Sequence, residues 1–85
     1  MELKYGSILK VVGLISDSYE EVDTVMLVNN TTDGSKYNCK VLDMSTYEIV
    51  ADFESIEEFV ANKQIKILEV IAIDFMKTLE DKIIK

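Results

Sequence analysis

Two stretches of alternating residues, 36–43 and 47–53, are separated only by Met44, Ser45 and Thr46. In the first, Tyr37, Cys39 and Val41 share one face, and Lys36, Asn38 and Lys40 share the other. In the second, Tyr47, Ile49, Ala51 and Phe53 oppose Glu48, Val50 and Asp52. A period of two is the strand period. Runs joined this closely must pair antiparallel, because a parallel pair needs a crossover of about a dozen residues or more. This hairpin limits the rest of the chain to building a sheet around it and covering its apolar face. On that reading Ile49 and Phe53 belong to the core.

The remaining segments supply the other strands. Residues 7–15 are almost continuously apolar, with Gly13 marking a bulge or tight bend near the end. Residues 24–28 form a short run rich in β-branched residues, which reads as a buried strand. Between them lies a polar, acidic loop containing Ser16, Asp17, Ser18, Tyr19, Glu20 and Glu21. Residues 29–35 carry turn chemistry, and Gly34 after Asp33 is expected at positive φ.

Beyond the hairpin, Ser55 is an N-cap, and Glu58 three residues on completes a capping box. The helix that follows is short and ends near Asn62, with Ile56, Phe59 and Val60 on its apolar side. Residues 65–70 are dense in isoleucine and valine and read as a fifth strand. Ala72, Phe75, Met76, Leu79 and Ile83 then recur at helical spacing. The pattern from 65 to 83 fits a strand followed by a helix, and it also fits one continuous helix. The β-branched density favours the first.

The strand order and helix placement resemble those of small SH3-like barrels, which also occur in low-GC Gram-positive bacteria and their phages. The run Tyr5-Gly6-Ser7-Ile8-Leu9-Lys10-Val11-Val12 is similar to their opening strand. The run Lys40-Val41-Leu42-Asp43-Met44-Ser45-Thr46-Tyr47-Glu48-Ile49-Val50 is similar to their central hairpin. The resemblance spans residues 5–70. It implies a small five-stranded, mostly antiparallel SH3-like barrel with a short helix before the fifth strand; together with the C-terminal helix read from the spacing, which lies outside the usual barrel, the expected fold is an α+β single domain over 1–85. It implies no activity, since one fold hosts many functions.

Composition then narrows function. Sixteen acids face nine bases, for a formal net charge of -7. All the bases are lysines, and there is neither arginine nor histidine. Nucleic-acid binding by phosphate neutralisation is therefore not expected, nor is attraction to an anionic membrane. Lacking histidine, the chain lacks the commonest general base and metal ligand. Its three glycines, Gly6, Gly13 and Gly34, are too far apart for a phosphate loop. Cys39 is the single cysteine and lies on the apolar face, so it reads as packed and inert. No enzyme, no cofactor and no metal site is expected. The N-terminus lacks the pattern of a secretory leader, and no apolar run matches a membrane span, which points to the cytoplasm.

The expected role is a non-catalytic protein-binding or accessory protein. One variant is an acidic phage-type inhibitor that fills the basic groove of a nucleic-acid-binding enzyme, such as a CRISPR effector or a repair enzyme. Another is a structural subunit joined through its C-terminal helix. For a basic partner, the candidate contacts are Asp17, Tyr19, Glu20, Glu21 and Asp23, where acids cluster around a tyrosine. The stripe Phe75, Met76, Leu79 and Ile83 can either dock on the chain's own sheet or form a homo-oligomer contact.

Overall fold

The structure, a computed structural model, describes residues 3–14, 20–30 and 34–73. Five strands form one antiparallel sheet: β1 (Ile8–Val12), β2 (Asp23–Asn29), β3 (Cys39–Asp43), β4 (Glu48–Phe53) and β5 (Lys66–Ala72). The helix α1 (Ile56–Ala61) lies between β4 and β5 in the chain. The order across the sheet is β4-β3-β2-β1-β5. The first strand is thus placed between the second and the last. The expected strand at 65–70 is present, which rules out a continuous helix from residue 65. The expected C-terminal helix falls outside the described residues.

The expected barrel does not close, because β4 and β5 are the two edges and do not pair. The sheet bends instead through bulges. Against β1, β5 carries two extra residues, Leu68 and Ile71, which tighten the local twist. The face inside the bend is covered by α1, whose Phe59 is buried among Leu9, Val11, Val25, Leu27, Cys39, Val41 and Phe53. The rings of Phe53 and Phe59 meet edge to face at 5.4 Å. A side chain from the connecting helix fills space that a closed barrel would fill with strand residues.

α1 begins as its sequence dictates. The Ser55 hydroxyl accepts from the Glu58 backbone N–H at 3.2 Å. The Glu58 carboxylate reaches back to accept from the Glu54 N–H at 3.0 Å. That is one residue earlier than in the usual capping box, but it meets the same need for partners at a helix start.

Two strand expectations need correction. β3 starts at Cys39, not at residue 36. The Tyr37 N–H donates to the Ser35 hydroxyl, and the Asn38 N–H donates to the Lys36 carbonyl. Those local bonds take up amides that a longer strand would place in the ladder, and Tyr37 is left exposed rather than in the core. In β4 the alternation is broken by one extra residue, Val50, because Val41 faces Ala51 while Leu42 faces Ile49. Ala51 and Phe53 remain on the core side. Ile49 moves to the opposite face and is 47% exposed. Tyr47 is no strand residue at all: it closes the turn at φ 60, with its N–H donating to the Asp43 carbonyl, and is 74% exposed. That left-handed backbone is uncommon for a tyrosine.

Glycine conformations agree with expectation. Gly13 ends β1 at φ 79, and Gly34 adopts φ 70.

Candidate functional site

The incomplete closure of the sheet leaves an apolar cleft of about 510 Å³ between α1 and β5. One wall is helical: Ile56, Glu57, Val60 and Ala61. The other is formed by Ile67 and Val70 of β5, and Leu3 contributes from the N-terminal segment. Helical spacing accounts for the first wall. Phe59 points into the core, so Ile56 and Val60, four residues apart, present one side of the helix to the opening. The β5 bulges account for the second. They reset the alternation so that Ile67 and Val70, three residues apart, share the core-facing side opposite Val11 and Leu9.

One charged side chain borders this apolar floor. Glu57 is the acidic group in the lining. The Tyr5 phenol is pushed above its ordinary pKa, first by partial burial and then by charge interaction with Cys39 and with Glu57. The Cys39 thiol is fully buried and is pushed up to about 11, chiefly by burial, with Glu57 and Glu58 adding to the effect. Such a thiol stays protonated at neutral pH and is a poor nucleophile.

The acids singled out in the sequence are only partly brought together. Asp17 and Tyr19 lie outside the described residues. Glu20 and Glu21 are exposed. Asp23 opens β2 half-buried, and its carboxyl is raised above the usual range by burial, then by Asp43 and Glu21. Asp23 pairs across the sheet with Val11, which in turn pairs with Ile67. Asp23 and the β5 wall of the cleft therefore share a face, about 10 Å apart at two strand spacings.

The opposite edge carries a different cluster. Lys36 holds Glu54 at 2.8 Å and lies over the Tyr37 ring at 5.3 Å. Its pKa is raised by the hydrogen bond to Glu54 and then by that carboxylate's charge. Among the described residues, no group of three or more acids or cysteines is arranged to hold a metal ion. No helix among them is long and apolar enough to cross a membrane.

Sequence reasoning missed the cleft because each of its members looked like an ordinary core residue. One signal was present: the helix is too short to bury Ile56, Phe59 and Val60 together. No protein-family model, curated protein or solved structure matches the chain.

Proposed function

We propose that this chain is a non-catalytic protein-binding module, and that it holds its partner in the cleft between α1 and β5. The observation that carries the reading is an open apolar cleft of about 510 Å³, with the carboxylate of Glu57 in its lining, in a chain of net charge -7. Pockets of that size and lining accept a few apolar side chains. The partner is a segment that sets an apolar anchor on Ile56, Val60, Ile67 and Val70 and brings lysine or arginine beside Glu57. The apolar anchor supplies most of the affinity, while the acids at Glu20, Glu21, Asp23 and Glu57 speed encounter and select for basic partners. An inhibitor of a nucleic-acid-binding enzyme is one member of this class, since such enzymes display basic surfaces.

The five antiparallel strands, with one helical turn before the last, support an SH3-like arrangement left open at its β4 and β5 edges. A reducing compartment suits the single buried, unpaired thiol of Cys39. The test is selection from a displayed random-peptide library. Enriched peptides should pair an apolar anchor with lysine or arginine, and their binding should weaken at least about tenfold in both Ala61→Arg and Glu57→Lys. Binding that ignores Ala61→Arg would rule out the cleft.

A further inference from the structure

β5 is an outermost strand, and no described strand pairs with its far side. That side borders the cleft, because Ile67 and Val70 form the β5 wall. Natural sheets guard such edges with charge or with bulges. The other edge, β4, is guarded by the exposed carboxylates of Glu48 and Asp52. β5 is guarded less. Its Leu68 and Ile71 are about half exposed. Its Glu69 is drawn to Lys10 of the neighbouring strand at 3.7 Å, and Lys66 stands at its first position. Its bulges limit a pairing strand to a short run.

The registers also give the direction of the β5 backbone. Successive strand residues turn their N–H and C=O to alternate sides. The Ser7 carbonyl accepts from Leu27 of β2, so Ile8, Lys10 and Val12 turn theirs toward β5. Opposite them stand Ala72, Glu69 and Lys66. Ile67 and Val70, opposite Val11 and Leu9, therefore turn their amides and carbonyls away from β1. The same two residues line the cleft with their side chains and offer main-chain hydrogen bonds at its border.

We propose that the partner segment binds as an extended strand added to the free edge of β5, bonded at Ile67 and Val70, with alternate side chains in the cleft. This rests on the cleft being the binding site. Added strands draw affinity from main-chain bonds and specificity from pockets for alternate side chains. The strand period then sets the recognition pattern. The apolar anchor and the lysine or arginine that meets Glu57 both face the cleft, so an even number of steps separates them. The residue between them faces the Lys10–Glu69 side, where paired charge exerts little selection. A second copy of the chain does not fit. Each copy carries a net charge of -7, and β5 laid antiparallel on itself about its centre sets Glu69 against Glu69.

The probe is the peptide most enriched in the library selection described above, bound to the full chain, with its backbone amides methylated one at a time. Methylation should weaken binding at least about tenfold at two amides two residues apart, each a lost hydrogen bond, and leave it within about twofold at the amide between. In the complex with the unmodified peptide, exchange of the Ile67 and Val70 amides should slow by about tenfold or more. Binding that Ala61→Arg abolishes, but that methylation weakens evenly or at three- and four-residue steps, would keep the cleft as the site and overturn the strand. Unchanged exchange at Ile67 and Val70 would overturn it in the same way. A selection in which no enriched peptide responds to Ala61→Arg would remove the cleft, and the added strand with it.

Discussion

At the scale of single residues, Cys39 shows how burial decides chemistry. Its side chain is in the core, its thiol is raised from 9.0 to about 11, and no partner is available for a disulfide. The unfolded chain loses this proton near pH 9, whereas the folded chain keeps it until about pH 11. The folded pKa is the higher, so the unfolded state sheds the proton first and stability falls as pH rises through that window. The loss is of order 3 kcal/mol. Other groups titrate in the same range, so the measurement is a comparison with Cys39→Ala. The stability advantage of the wild type should shrink between pH 8 and pH 11. A constant difference would mean that the thiol is solvated. Asp23 behaves in the same sense: its raised carboxyl opposes folding once ionised, so that position weakens the sheet at neutral pH.

At the scale of elements, the β3–β4 hairpin separates what pattern can foresee from what it cannot. Phe53→Ala should cost about 3–5 kcal/mol, because it empties core volume and removes the edge-to-face contact with Phe59. Ile49→Ala should cost less than about 1 kcal/mol, as expected for a half-exposed position. Urea denaturation of the two variants distinguishes them, and equal losses would contradict the bulge at Val50. The hairpin, its turn and the capped helix were all legible, because each follows from spacing within a few neighbouring residues. The bulges at Val50, Leu68 and Ile71 were not. A bulge inserts one residue without changing composition, and its position is chosen by the curvature that lets Phe59 reach the core. The cleft was hidden for the same reason, since Ile67 and Val70 share a face only after a bulge. Of the acidic loop proposed from the sequence, Asp23 proves to share the core-facing side with the cleft, a relation that depends on β1 lying between β2 and β5.

At the scale of the whole molecule, Ser7 ties the start of β1 to the end of β5. It is fully buried, donates to the Ile73 carbonyl and accepts from the Lys4 N–H at 3.0 Å. Its own backbone carbonyl accepts from the Leu27 N–H. Ser7→Ala removes both hydrogen bonds, at about 0.5–1.5 kcal/mol for each. The loss should be local as well as global. Amide exchange at Lys4 and along β5 should quicken more than exchange in β3. Uniform quickening would show that Ser7 acts only through overall stability.

The place of β1 also has a consequence during synthesis. This strand leaves the ribosome first among the five, yet one of its two neighbours is β5, the last. Until β5 emerges, the nascent sheet presents the bare edge of Ile8, Leu9, Val11 and Val12, an apolar strand with unused amides and carbonyls. Such an edge readily recruits a strand from another chain. Completion must also wait for a contact between distant parts of the sequence, which slows folding relative to locally connected folds. A chaperone that shields this edge, or rapid translation through residues 66–72, would thus govern how much of the newly made protein escapes aggregation.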